Sequence, residues 1–317
     1  MTNFMDIADL IRQCRQRTGV SQEQLVQQLV DFQQEFADLD VQALSRWERG
    51  AVTPSLARQV LLMQFFGESP EQLLADTRFS IRQLPSILGF DRMIDQALDF
   101  RHMHGAHPYL DRNAEFVSVQ VSAAESAPIA ACVANYQQGL ARGRETWDAE
   151  RLASMMEHPS CRMLRYDVGD ILGGHLLYAR LKRPAFEDVL RYRLLECQLS
   201  EEHMAAADEP SGVFVVSTYG GSKPIIVDHM VHMLSVVAGD PLNSHIALKA
   251  HTEVGGKFFA LLDASPVALG SVIAAGKRGL RYRGKRYQSA TFAVDRQRIL
   301  GSALYVNLLR RQVKASQ

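Results

Sequence analysis

The sequence predicts a multidomain chain: an all-α N-terminal domain followed by an α/β (α+β) domain built on a mixed sheet. Three observations carry that expectation. Apolar residues recur at helical spacing from about residue 5 to 67. Beyond residue 115, alternating strand-like stretches interleave with helical ones. The 317 residues are also enough for two hydrophobic cores. An apolar content of 47% with 22% charged residues describes an ordinary globular composition.

The N-terminal elements follow in order. Residues 5–18 place Ile7, Leu10, Ile11 and Cys14 on one helical face, with Arg12, Arg15 and Arg17 largely off it. Ser21 is the N-cap of a second helix, with Gln22, Glu23 and Gln24 in its first turn and Leu25, Val26 and Leu29 inward. Residues 44–50 form the stretch around which the rest is organised. Leu44 and Trp47 pin the inner face of a third helix, capped at its start by Asp40 and stopped by Gly50. Its outer face offers Gln42, Ser45, Arg46 and Arg49, all hydrogen-bond donors with reach. A fourth helix starts after Pro54 and carries Leu56, Val60, Leu61 and Met63 toward Gly67.

Ser21-Gln22, the run Ser45-Arg46-Trp47-Glu48-Arg49-Gly50 and Pro54-Ser55 together resemble the Cro/C1-type (XRE) helix-turn-helix family over about residues 5–67. In one respect the chain departs from that family. Ser21 and Ser45 stand 24 positions apart, a wider spacing than the family commonly shows, and the extra residues fall in 30–39. A longer second helix and a wider turn accommodate them. The resemblance implies a transcriptional regulator whose third helix enters the major groove of double-stranded DNA. Gln42, Ser45 and Arg46 are the candidates for base edges, because amide and guanidinium groups pair bidentately with adenine and guanine. Gln22 and Arg49 are the candidates for phosphates, and Trp47 is assigned to packing. Paired half-sites imply a homodimer.

Residues 68–114 are too apolar for a solvated tether, with Leu73, Leu74, Leu84, Ile87, Met93, Ile94 and Leu98 among them. Such a connector packs either on the second domain or on a partner subunit. The second domain, residues 115–317, opens with a strand at 116–121. Helices follow at 124–141 and 147–157, then strands at 162–168 and 171–181 joined by a turn at 169–170. Further strands are expected at 190–199, 213–219, 245–250 and from 267 onward, with helices at 225–238 and 254–262.

That element order, the glycine turn at 220–221 and the run from Gly255 to Pro266-Val267 resemble the GNAT acyltransferase fold over about residues 115–295. The resemblance implies that Tyr219, Gly220, Gly221, Ser222 and Lys223, at a helix start, hold the pyrophosphate of acyl-CoA. The turn departs from the family pattern, and Pro224 removes one amide donor. Phe259 stands where the family often has a tyrosine acid, and Glu196 on the expected 190–199 strand reads as a solvated face residue. No catalytic residue is assigned. The domain is expected to sense a small-molecule effector, to mediate assembly, or both; the alternative is an N-acetyltransferase carrying a DNA-binding module.

The formal net charge of zero hides an asymmetry. Residues 277–317 hold eleven Lys and Arg against one acid, Asp295, whereas residues 1–67 hold six Arg against eight acids. The basic run either touches phosphates or neutralises the acidic remainder. Its core, Arg281 to Arg286, reads as a hairpin with one basic face. Four cysteines without CxxC spacing, and the pair His229 and His232, do not make a metal site; His102, His104 and His107 are read the same way. No apolar run reaches the roughly 18–20 residues of a membrane span, and the N-terminus lacks a secretory signal. A cytoplasmic protein is expected.

Overall fold

The computed structural model describes residues 5–76, 79–81, 88–98, 110–111, 113–122, 125–141, 146–274 and 279–315. The chain divides into two compact units, one drawn from residues 1–87 together with 297–317 and one from 88–296. His102, His104, His107, Leu84, Ile87, Lys277 and Arg278 lie outside the described residues.

The first unit opens with a two-residue strand β1 (Met5–Asp6), then α1 (Ile7–Thr18), α2 (Gln22–Phe32), α3 (Val41–Glu48), α4 (Leu56–Phe65) and α5 (Pro70–Ala75). Strand β2 (Phe79–Ser80) pairs with β1. Each early helix is started by a short polar side chain that accepts backbone N–H groups: Asp6 for α1, Ser21 for α2, Asp40 for α3 and Ser55 for α4. Gly19 ends α1 at φ 69°, a conformation glycine adopts without the Cβ penalty.

The widened turn has its own anchors. A 3-10 turn spans Gln34–Phe36, and Phe36 and Leu39 are buried. Arg58 of α4 donates to the Glu35 carbonyl at 3.1 Å, pairs with Asp38 and lies over the Trp47 ring at 5.9 Å. The inserted residues are therefore folded onto the helices rather than looped out.

In the second unit α6 (Leu88–Ala97) packs on later helices of the same unit. Then come β3 (Val117–Gln120), α7 (Ser126–Ala141), α8 (Ala149–Glu157), β4 (Cys161–Val168) and β5 (Ile171–Lys182). They are followed by α9 (Arg183–Leu190), β6 (Ser211–Gly220), α10 (Lys223–Ala238), β7 (Asn243–Ala250), α11 (Glu253–Ala260) and β8 (Pro266–Leu269). A hairpin β9 (Leu280–Tyr282) and β10 (Lys285–Tyr287) precedes β11 (Ala290–Asp295). The strand expected at 190–199 is not formed. Pro184 in the first turn of α9 suits a helix start, and Glu196–Gln198 is a 3-10 turn.

Seven strands make one mixed sheet in the order β3-β4-β5-β6-β7-β11-β8. All neighbours are antiparallel except β6 and β7, which are parallel. This is the mixed-sheet α/β architecture that the element order predicts. Alternation along the strands divides the core. Leu177, Ala179, Phe214, Val216 and Ala247 face α7, α8 and α9, whereas Tyr178 reaches His232 of α10 on the other face.

The chain then passes through α12 (Arg296–Leu300) into α13 (Ala303–Ala315), which completes the first unit. Leu304, Tyr305, Val306 and Leu308 are buried there, and Arg310 donates to the carbonyls of Leu74 at 2.9 Å and Phe79 at 2.6 Å.

Candidate nucleic-acid interface and ligand cavity

The third helix has two chemically distinct faces. Leu44, Trp47 and Glu48 are buried, whereas Gln42, Arg46 and Arg49 are exposed and Ser45 is half-buried. Glu48 is the unexpected member of the inner face, at 4% exposure. Arg15 of α1 donates to it through Nε at 2.5 Å and Nη2 at 3.4 Å, and the Gln22 amide of α2 donates to the same carboxylate. One carboxylate thus ties three helices together. The sequence reading placed Gln22 among the phosphate contacts and missed this role. A glutamate beside Trp47, one helical turn from Leu44, was the available signal. Trp47 is buried, as the spacing predicted. Arg49 bends back so that its Nε donates to the Ser45 carbonyl at 3.2 Å.

The sheet unit holds a cavity because its single parallel pair diverges. Pairing between β6 and β7 runs only as far as Val215 opposite Leu248, although β6 continues to Gly220 and β7 to Ala250. Beyond that point side chains from α7 take over backbone acceptors of β6. The Gln137 amide donates to the Val216 carbonyl at 3.1 Å and the Tyr136 hydroxyl to the Thr218 carbonyl at 3.3 Å. The gap opens into a cavity of about 240 Å³ bounded by α7, β6, α10, β7 and α11.

Of the five residues expected to hold an anion, Tyr219 and Gly220 line this cavity. The other three are engaged elsewhere. Ser222 is fully buried and donates to the Ala114 carbonyl at 3.3 Å, and Lys223 pairs with Asp91 at 3.2 Å. A Cβ on Gly221 would lie 2.7 Å from Leu110 and 2.8 Å from the Gly173 carbonyl. That glycine permits close packing of the turn itself.

The electrostatics of the site are set by burial. Glu196, read from sequence as solvated, is buried and accepts from Lys249 Nζ at 2.9 Å; both side chains are less than 10% exposed. The strand that would have exposed it does not exist. His175 bonds Ser217 Oγ at 2.7 Å under the Tyr136 ring, and burial pushes its pKa down to about 4. His229 lies well below the ordinary histidine range, through burial first and the neighbouring His175 and His232 second. Burial also raises the Tyr136 phenol far above its usual value, so the hydroxyl stays protonated. Phe259 is buried and stacks on Phe292 at 4.9 Å, with no proton to give at that position. Among the described residues no group of three His, Cys, Asp or Glu side chains comes together as a metal site. No helix among them is long and apolar enough to cross a membrane.

Comparison with known proteins bears on the two units separately. Residues 6–75 match the model of a helix-turn-helix domain, so the first unit carries a helix-turn-helix. No curated protein sequence matches the chain. Among solved structures, the chain is similar to FeeM, an N-acyl amino acid synthase from uncultured soil microbes, at 12% identity and a TM-score of 0.39, covering 61% of this chain and 98% of that one. It is also similar to NAA60 of Arabidopsis thaliana in complex with acetyl-CoA, at 9% identity and a TM-score of 0.36, covering 57% of this chain and 98% of that one.

Proposed function

We propose that the protein is a sequence-specific DNA-binding transcriptional regulator, active as a homodimer, whose sheet unit senses a small effector. The observation that carries the DNA-reading half is the division of α3. Its inner face is locked by Leu44, Trp47 and the Glu48 hub, and its outer face presents Gln42 and Arg46 to solvent. Preorganised donors on an exposed helix are suited to base edges in a major groove. Ser45 adds a hydroxyl to the same surface. Gln22 uses one amide N–H on Glu48 and keeps the other for a phosphate, and Arg49 is a second phosphate contact. Binding-site selection from randomised duplexes tests this reading. A motif enriched by the wild type supports it, and selection without enrichment counts against it.

The sensing half rests on the cavity, which lies between divergent strands and reaches apolar side chains of α10 and α11. An acyl-CoA would place its acyl arm in the cavity beside Tyr219 and Gly220 and leave its phosphates outside. A second reading, an N-acetyltransferase carrying a DNA-binding module, draws on the two phenols in the lining, Tyr136 and Tyr219. Calorimetry with acetyl-CoA and CoA, combined with a turnover assay, separates the two. Binding that shifts DNA affinity without turnover favours the sensor, and acetyl transfer to an amine favours the enzyme.

A further inference from the structure

The cavity lining is largely apolar, formed by Ile226, Met230 and Met233 of α10, Leu248 of β7, and Val254 and Phe258 of α11. Polar groups enter it from Tyr136, Thr218, Tyr219, Lys249, His251 and Thr252, and from the buried ring of His229. His229, which also lines the cavity, is 3% exposed. Its Nδ1 lies 3.1 Å from Thr218 Oγ1, and its ring meets the Tyr166 ring edge-on at 4.5 Å. Nε2 is buried and has no hydrogen-bond partner among the described residues. Buried polar atoms are seldom left in that condition, because each carries its desolvation cost without compensation. A ligand that completes the bond removes the cost.

The charge of the cavity narrows the class of that ligand. Lys249 is the one charged side chain among the described lining residues, and Glu196 already neutralises it. A carboxylate or phosphate drawn inside would lose its water without meeting an unmatched cation. An uncharged group suffers less.

We propose that the cavity takes an uncharged aliphatic molecule bearing one carbonyl or hydroxyl group, and that His229 Nε2 is the partner that orients it. The inference rests on the reading of the sheet unit as a ligand sensor and supplies the class of ligand. A neutral imidazole has one N–H and one lone pair, and the Thr218 hydroxyl can satisfy either at Nδ1. Nε2 is therefore able to donate to a carbonyl or accept from a hydroxyl. An apolar cavity of about 150 Å³ holds benzene, so one of about 240 Å³ holds about ten non-hydrogen atoms. An eight-carbon ketone or alcohol fits that size.

The test uses the full-length protein, isothermal calorimetry, and three probes: octan-2-one, octan-2-ol and octanoate. The wild type is compared with His229→Leu and His229→Gln, each first checked for a native-like thermal transition. The ketone and the alcohol should bind at least about tenfold more tightly than octanoate. His229→Leu should lose about tenfold for both neutral probes, as loss of one hydrogen bond does. His229→Gln, which keeps a donor and an acceptor near the same place, should recover most of it. Equal affinity of the wild type and the Leu variant for the ketone, preference for octanoate, or no binding of any probe overturns the proposal. DNA affinity measured with and without the ketone separates the two readings. Ketone binding that depends on His229 while DNA affinity stays constant sinks the sensor and leaves the ligand assignment standing.

Discussion

Arg15 and Glu48 are joined across the first unit, with Arg15 Nε 2.5 Å from Glu48 Oε1 and the carboxylate almost completely buried. The two residues stand 33 positions apart in sequence, so the pair fixes the orientation of α3 against α1. Removing one member of such a pair leaves the other charge uncompensated, at a cost of about 3–5 kcal/mol when fully buried. Arg15 keeps a quarter of its side chain in solvent, which places Glu48→Ala at the lower end, about 3 kcal/mol. Glu48→Gln keeps hydrogen-bonding capacity and should cost less. Urea melts of the three proteins check the order. Equal stability of Glu48→Ala and wild type would remove the pair from the account.

Trp47→Ala should destabilise the same unit by about 3–5 kcal/mol, by truncating a core aromatic. The substitution also strips Arg58 of the ring it lies over. A variant that melts like the wild type but no longer binds DNA would reassign Trp47 from packing to contact.

The C-terminal helix makes a prediction about truncation. Leu304, Tyr305 and Leu308 are buried in the first unit, where Arg310 holds the carbonyls of Leu74 and Phe79. A fragment of residues 1–76 should therefore be markedly less stable than one that also carries residues 297–317, joined by a flexible linker. Indistinguishable hydrogen-exchange protection of α1 and α4 in the two fragments would show that α13 adds nothing.

Acid should weaken the sheet unit. His175 is held down to about 4 by burial, whereas an unfolded histidine titrates near its ordinary value of about 6.5. The unfolded chain then binds the proton more readily, so this stability is fully present above about pH 6.5 and is lost as pH falls toward 4. The shift corresponds to about 3 kcal/mol over that window. His229 acts in the same direction. Denaturant melts at neutral pH and near pH 4.5 should show a smaller difference for His175→Gln than for wild type. An equal difference would place the acid sensitivity elsewhere.

The β9–β10 hairpin exposes Arg281, Arg283 and Lys285, whereas Arg286 is paired with Glu253 at 3.2 Å. If the first three touch phosphates, replacing them with Ser flattens the salt dependence of DNA binding by up to about 3 log–log units per protomer. An unchanged slope accompanied by a changed sedimentation coefficient would assign them to assembly instead.

The sequence was most legible where local chemistry decides structure. Asp40 and Ser21 were readable as caps because N-capping needs only a short acceptor before an apolar period, and Trp47 was readable as core from its spacing to Leu44. The alternating strands disclosed the element order of the sheet in the same way. What stayed hidden depends on partners distant in sequence. Glu196 and Lys249 meet across 53 positions, and the expected 190–199 strand concealed that burial. The cavity arises from where β6 and β7 stop pairing, which no periodicity encodes. His229 was visible only as one of two histidines on a helix face, and nothing local in the sequence marks its buried Nε2.

The central claim is that α3 reads DNA sequence, and Arg46→Ala tests it most directly. Fluorescence anisotropy would be measured on a duplex obtained by selection and on a scrambled duplex, at two salt concentrations. The account predicts a loss of about 1–3 kcal/mol on the selected duplex, with the scrambled duplex nearly unaffected. An equal loss on both duplexes, or none on either, would contradict it.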